Sequence, residues 1–399
     1  MIITLACMMI VTPGYIVHAA NVAPLTLLPQ DHADSDPACL DGSPYGFYFH
    51  PSKRGSTKWT VNIQGGGWCY DEEDCLMRSK TQLGTSTMWA KNSSVYGCMN
   101  YNADGSLDDD CNFIYMPYGD GASFSGYRAE TWPVPGSESR LTFRGFRNLE
   151  ETIRWAFANG NLADATEFVL TGGSAGGLST FLHADRVAAW IREGAAKIEK
   201  IVAAPVVGYF LDHDNYAKTT GIPNTPSFAK ANYTTWMRHI YHMQNLTFSN
   251  DGMGALTPAC FQEYSDSPWL CFMSPHMQNF IETPFFMFNS KYDLWQLQHE
   301  LQATDWKTDP GVRQAVLDYG DSFLHQFAPV KGEASKNGAF ITSCICHGCP
   351  WPQLTLKGKS AFQHYADWYL QKSAGNNIHV DPRLPNGNGS LTFPSCAPY

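Results

Sequence analysis

The sequence predicts an α/β fold, with a mostly parallel central sheet flanked by helices and one helical or irregular insertion. Three observations carry this. The first is Glu167-Phe168-Val169-Leu170-Thr171-Gly172-Gly173-Ser174-Ala175-Gly176-Gly177-Leu178, where a short run of strand formers ends in G-x-S-x-G. The chain then opens at once into a helix-like segment, Leu178 to Arg192, apolar at Leu178, Phe181, Leu182, Val187, Ala188 and Ile191. The second is Lys58 to Gln64 (KWTVNIQ), which alternates like a strand and runs into Gly65-Gly66-Gly67-Trp68. The third is a pair of later strand-like runs, Thr283 to Asn289 and Gly338 to Thr342, each ending in polar residues. Short apolar runs interleaved with helical segments are the pattern of a parallel sheet.

Strand–elbow–helix is the context in which G-x-S-x-G holds a nucleophilic serine on a strained turn. Gly172 and Gly176 leave room where side chains would collide, and Gly173 and Gly177 add slack. A serine hydroxyl is a weak nucleophile by itself. It needs a base, a group to orient that base, and donors for the developing oxyanion. In α/β-hydrolases the order along the chain is oxyanion loop, Ser, Asp or Glu, then His. Gly65-Gly66-Gly67-Trp68 precedes the elbow and resembles the HGGG loop of lipases and esterases, with Gln64 in place of His. Consecutive glycines let backbone N–H groups turn toward a ligand, and one such donor contributes ~3–4 kcal/mol to the transition state. Asp293 follows the run Thr283 to Asn289, placed to reach a histidine and also to cap a helix over Leu294 to Leu301. The candidate bases after it are His299, His325, His347, His364 and His379. His347 lies in the loop Ser343-Cys344-Ile345-Cys346-His347-Gly348-Cys349. His299, His325 and His364 fall in helical stretches.

Several segments together resemble the pectin acetylesterase family, which also contains the Notum carboxylesterases. They are Gln64 to Cys69 with Cys75, Asp120-Gly121-Ala122-Ser123-Phe124-Ser125-Gly126, Phe143-Arg144-Gly145, and Gly172 to Gly177. Further on come His183-Ala184-Asp185, Asn289 to Gln296, and Ser343-Cys344 with His347, so that the matches span residues 39–370 in the family's order. The resemblance implies an α/β-hydrolase that removes an acyl group from an oxygen ester. It implies Ser174, Asp293 and His347 as the catalytic triad, and the N–H groups of Gly67, Trp68 and Ala175 as oxyanion donors. Trp68 with Asp120, Gly121, Ala122, Ser123 and Phe124 would line the substrate. The loop around His347 departs from the family in carrying Cys346 and Cys349 on either side.

Met1 to Val17 is apolar and is followed by His18-Ala19-Ala20, which reads as a signal peptide over 1–20 and predicts a secreted chain. No other segment approaches the ~18 uninterrupted apolar residues that a membrane helix needs, so no stable membrane insertion is expected. Twelve cysteines less Cys7 leave an odd set with at least one spare thiol. Cys69 with Cys75, Cys98 with Cys111, and Cys260 with Cys271 are near neighbours and the expected disulfides. Sequons stand at Asn92, Asn232, Asn245 and Asn388. Residues 21–399 read as a single α/β-hydrolase domain and a monomer. Its insertion, at about 215–283, is rich in aromatic, Met and Pro residues and is expected to cover the site. With 27 basic against 37 acidic residues the net charge is −10, which excludes nucleic acid as a partner class. Binding a polyanionic pectin would then need a local basic groove, for which Arg78, Arg128, Arg140, Arg144 and Arg147 are the candidates.

Cys346-His347-Gly348-Cys349 also admits a redox dithiol, and with Cys344 a zinc site. The first lacks a thioredoxin-like βαβ start, and the second has poor tetrahedral spacing. The expectation is acyl transfer through an acyl-serine, needing no metal or cofactor. The partner would be an acetylated polysaccharide (pectin) or an acylated secreted protein. The segments around Ser174, His183 and Trp295 resemble the plant-type acetylesterases more than Notum, which favours short acyl groups. The alternatives are a Notum-like deacylase that acts on a longer chain and a non-catalytic binding protein on the same fold.

Overall fold

The structure, a computed structural model, describes residues 21–31, 36–95, 97–216, 232–247, 256–328, 336–373 and 377–383. The expected signal peptide and the sequon at Asn388 lie outside these residues. Ten strands form one sheet: β1 (Asn21–Leu27), β2 (Gly46–His50), β3 (Lys58–Ile63), β4 (Asn92–Val95), β5 (Asn112–Met116), β6 (Glu167–Gly173), β7 (Lys200–Val206), β8 (Phe286–Ser290), β9 (Gly338–Thr342) and β10 (Ile378–Val380). Their spatial order is β10-β9-β8-β7-β6-β3-β5-β2-β1-β4. Neighbours from β10 to β5 run parallel, while β2, β1 and β4 form an antiparallel edge. This is the mostly parallel sheet of an α/β-hydrolase fold.

The central strands are buried on both faces, and their side chains alternate between two cores. Phe168, Leu170, Ala203, Met287, Ala339 and Ile341 enter one core, which includes Leu178, Phe181 and Val187 of the helix Ala175–Gly194. Val169, Val202, Ala204, Phe286, Phe288 and Phe340 enter the other, with Tyr365, Trp368 and Tyr369 of the helix Ala361–Tyr369. A period of two in side-chain direction makes both assignments from a single apolar run. The helix expected from Leu178 starts earlier, at Ala175, directly from the elbow. The run from Thr283 becomes a ladder strand only at Phe286. Pro284 has no N–H to donate and contributes only its carbonyl, to Ala203 N at 2.9 Å.

Within the expected insertion, the described residues hold the helices Tyr233–Met243, Pro258–Glu263 and Ser274–Met277, and no strand. The disulfides Cys69–Cys75, Cys98–Cys111 and Cys260–Cys271 are formed, and a fourth joins Cys346 to Cys349. Cys344 is disulfide-bonded as well, so none of the three sulfurs around His347 is a thiolate free for zinc. The spare thiol among the described residues is Cys39, which is buried and whose pKa is pushed up to about 12 by that burial.

Behind the carboxyl ends of the central strands lies the loop that follows β5. The Asp120 carboxylate accepts from Ala122 N at 3.1 Å and Phe124 N at 2.8 Å. It thereby holds Ser123 and Phe124 at positive φ, 54° and 58°, which side chains rarely adopt. Burial pushes the Asp120 pKa up to about 7.

Two predictions follow from close packing and burial. A Cβ on Gly176 would lie 2.1 Å from the Ile63 carbonyl, whereas one on Gly173 would meet nothing within 4 Å. Gly176→Ala should therefore cost about 1–3 kcal/mol of stability and Gly173→Ala under about 0.5 kcal/mol, compared by denaturant unfolding. For Asp120 the unfolded chain releases its proton near ~3.9, and the folded chain only near about 7. The stability this group contributes is present at acid pH and is lost as pH rises through that window. The melting temperature of the parent relative to Asp120→Asn should fall between pH 4 and pH 8, and a difference independent of pH would contradict the assignment.

Candidate active site

The site is built where β3, β6, β8 and β9 end. Ser174 leaves β6 with φ 59° and ψ −127° and opens the helix Ala175–Gly194. Its N–H donates to Val206 O at 2.9 Å, and its carbonyl accepts from Leu178 N at 3.0 Å, which fixes an otherwise unfavourable backbone. Gly172, Gly176 and Gly65 permit the approach. A Cβ on Gly172 would come 2.4 Å from Gly176 O, and one on Gly65 would come 2.2 Å from Gly173 O.

His347 Nε2 lies 2.8 Å from Ser174 Oγ, and His347 Nδ1 lies 2.8 Å from Asp293 Oδ2 and 3.0 Å from Oδ1. An ionised carboxylate can only accept, so Nδ1 carries the proton. That leaves Nε2 to accept from the Ser174 hydroxyl, the tautomer a general base requires. Asp293 is fully buried and also caps the helix Leu294–His299 by accepting from Gln296 N at 3.1 Å. Gln296 is in turn held by Tyr209 O, Leu211 N and the Tyr319 hydroxyl. The His347 loop is pinned by Cys346–Cys349, and the Ser290 hydroxyl donates to Cys344 O at 2.5 Å, tying the ends of β8 and β9 together. Of the other downstream histidines, His299 lies near the triad, against Trp295 with ring centroids 4.8 Å apart, and makes no hydrogen bond to Ser174 or Asp293, while the rest lie elsewhere. His299 and His325 end helices, while His364 bonds Leu356 O and lies against His379, with ring centroids 3.8 Å apart and planes tilted by 33°.

The Gly65–Trp68 loop runs beside the elbow, so that a Cβ on Gly65 would sit 3.0 Å from Ala175 N. The N–H groups of Gly67, Trp68 and Ala175 meet no acceptor among the described residues, which leaves them available to an oxyanion. Gly67 sits at φ 67°, where a side chain would be strained. Gln64 Oε1 accepts from Tyr118 N at 2.9 Å and anchors the loop to the end of β5.

Trp68 is buried against Phe210, Tyr233 and Trp295, and these four rings contact one another pairwise at centroid distances of 4.8 to 6.4 Å. Phe210 and Trp295 each lie 6.4 Å from the His347 ring. Asp120, Gly121, Ala122, Ser123 and Phe124, expected to meet substrate, lie a layer behind, all buried. Ser123 Oγ accepts from Trp68 Nε1 at 2.8 Å and Gly121 O accepts from Cys69 N at 3.2 Å, so this loop acts on the site through Trp68. The five arginines expected to form a basic groove each bond groups of the chain itself, and of them Arg140 stays exposed. Arg78 bonds Gly66 O and Trp68 O, Arg128 bonds His242 O and Met243 O, and Arg140 bonds Thr131. Arg144 bonds Ala129 O and Arg147 bonds Glu150. Phe210 was not singled out in the sequence, and Tyr233 only as one of many aromatic residues in the 215–283 insertion, because no local pattern says which aromatic side chain reaches Trp68.

The pectinacetylesterase family model matches residues 17–389 of the chain. Pectin acetylesterase 5 of Arabidopsis thaliana is 31% identical over 359 residues, covering 84% of this chain and 77% of its own. Pectin acetylesterase 11 of the same plant is 27% identical, covering 91% of each. The palmitoleoyl-protein carboxylesterase Notum of Drosophila melanogaster is 25% identical, covering 79% of this chain and 44% of its own. The solved structure of the Wnt deacylase Notum from Drosophila matches with a TM-score of 0.76 at 23% identity, over 95% of this chain and 100% of that one, a likeness of fold. The chain therefore belongs to the pectinacetylesterase family and is a serine carboxylic ester hydrolase.

Proposed function

We propose that the protein is a secreted esterase that removes O-acetyl groups from pectin-type polysaccharide through an acyl-serine intermediate. Ser174 Oγ attacks the ester carbonyl while His347 Nε2 takes its proton, and Asp293 holds the imidazolium. The N–H groups of Gly67, Trp68 and Ala175 receive the oxyanion. The C–O bond to the sugar then breaks, and the alkoxide leaves with the proton from His347. Water, activated by the same imidazole, hydrolyses the acyl-Ser174 and returns acetate.

The observation that carries the choice of acetyl is the closed set of rings. Trp68, Phe210, Tyr233 and Trp295 fill the apolar space beside the triad, and all six ring pairs are in contact. An acetyl methyl fits against such a wall, whereas a long alkyl chain must displace a ring and break several aromatic contacts, each contributing ~0.5–1.5 kcal/mol. Tyr233 comes from the 215–283 insertion, which we read as a cap closing the acyl side of the site. The names of the Arabidopsis relatives point the same way, and those of the Notum relatives supply the alternative, a longer acyl chain on a protein. Secretion is supported by the disulfides and by the exposed sequon at Asn92.

The test is hydrolysis of p-nitrophenyl esters from acetate to palmitate, with acetate release from acetylated pectin. Acetate should be the preferred ester, and Ser174→Ala should lower kcat by about a thousandfold or more. Tyr233→Ala should open the wall and raise kcat/KM on octanoate relative to acetate by about tenfold or more. A parent enzyme that prefers octanoate or longer and spares pectin would overturn the acetyl reading in favour of the Notum-like one.

A further inference from the structure

The loop that carries two of the three oxyanion donors has no fixed geometry of its own. It contains three consecutive glycines, which lose more conformational freedom on folding than any other residue. Besides its ties to Tyr118 and Ser123, it is held by the short helix Glu72–Arg78 that follows. Asp71 caps this helix by accepting from Asp74 N at 2.8 Å, and Asp74 Oδ2 accepts from Tyr70 N at 3.0 Å. The disulfide Cys69–Cys75 folds the helix back, so that its last residue, Arg78, returns to the loop it came from. There Nη1 donates to Gly66 O at 2.9 Å and Nη2 to Trp68 O at 3.0 Å. The Arg78 side chain passes close to Gly121, whose added Cβ would sit 3.3 Å from Arg78 Cδ, and its guanidinium lies 5.9 Å from the Tyr118 ring centre.

In a trans peptide the carbonyl and the following N–H point in opposite directions. Holding Gly66 O toward Arg78 therefore turns Gly67 N–H away from it. Holding Trp68 O fixes the next peptide but one, whose N–H, on Cys69, is received by Gly121 O at 3.2 Å. The Gly67–Trp68 peptide, which supplies the Trp68 donor, is bracketed on both sides. We infer that Arg78 is a positioning residue for the oxyanion hole, its two-pronged guanidinium aiming the N–H groups of Gly67 and Trp68. The inference rests on the triad and oxyanion reading given above. A lysine offers a point charge and cannot span two carbonyls in one plane, so charge alone does not satisfy the role.

The experiment compares the parent enzyme with Arg78→Lys and Arg78→Gln on p-nitrophenyl acetate. It adds the inhibition constant of a trifluoromethyl ketone. In that adduct Ser174 Oγ bonds to the ketone carbon, the C=O electrons become an oxyanion, and the serine proton passes to His347. Both variants should lose kcat by about 10- to 1000-fold, with KM held within about twofold. The inhibition constant should rise by the same factor by which kcat/KM falls, because both report the oxyanion. Active-site titration with a fluorophosphonate gives the fraction of folded enzyme, and kcat is expressed per titrated site. Parent kcat and inhibition per titrated site in either variant would overturn the inference, as would a loss confined to KM. Absence of Ser174-dependent hydrolysis in the parent would instead sink the underlying reading.

Discussion

Two neighbouring parallel strands, β3 and β6, end in backbone-to-backbone contact, and every other feature of the site depends on that approach. The hydrogen-bonded register runs unbroken from Lys58 opposite Glu167 to Ile63 opposite Gly172. Past that point the chains diverge, one becoming the elbow that bears Ser174, the other the loop Gly65–Trp68, which we propose supplies the oxyanion donors. They can stay together only because Gly65, Gly172 and Gly176 carry no side chain, each replacing what would be a contact of 2.1 to 2.4 Å with a backbone oxygen. A methyl group at any of the three would push Ser174 and the Gly65–Trp68 loop apart by a fraction of an ångström or more, and with them the proposed nucleophile and oxyanion donors. Catalysis by pre-aimed dipoles is lost on that scale.

The remaining parts are attached to this junction by independent ties. Ser174 is bonded to β7 through Val206 O, and Asp293 and His347 sit on loops leaving β8 and β9, which are laced by Ser290 and Cys344. The Cys346–Cys349 bridge closes the His347 loop on itself, and it is through His347 that the loop reaches Asp293 and Ser174. Trp68 is set from behind by Ser123, in a loop that Asp120 holds at unfavourable dihedral angles. A rigid junction with separately braced attachments suits a reaction whose charge develops at one fixed atom.

Much of this was legible in the sequence, and for specific reasons. The parallel strands announce themselves as apolar runs because both faces are buried, and β9 falls on the expected residues Gly338–Thr342. The elbow is legible because its glycines are demanded by close approach at defined positions. Asp293 and His347 were reachable through chain order, although order alone left five histidines open and the family resemblance chose among them. What stayed hidden is contact between distant segments. The ring set joins residues 68, 210, 233 and 295, and no local pattern marks them as partners. The loop around Asp120 was assigned to the substrate by the family resemblance, yet its polar groups bond within the protein, Phe124 to Asp120 inside the loop and Trp68 to Ser123 from a segment that no local pattern relates to it. Of the arginines offered for a groove, Arg78, Arg128 and Arg144 bond main-chain carbonyls and Arg147 bonds Glu150, while Arg140 bonds Thr131 and stays exposed.

The claim that Ser174 accepts the acyl group in a site shaped for acetyl is tested most directly by trapping the intermediate. The enzyme would be mixed with p-nitrophenyl acetate, quenched in acid within the first turnover, digested and sequenced by mass spectrometry. The account predicts a single acetyl group on the peptide that carries Ser174, absent from Ser174→Ala and diminished by competing acetylated pectin. Acetylation elsewhere, or turnover without any acyl-Ser174, would contradict it.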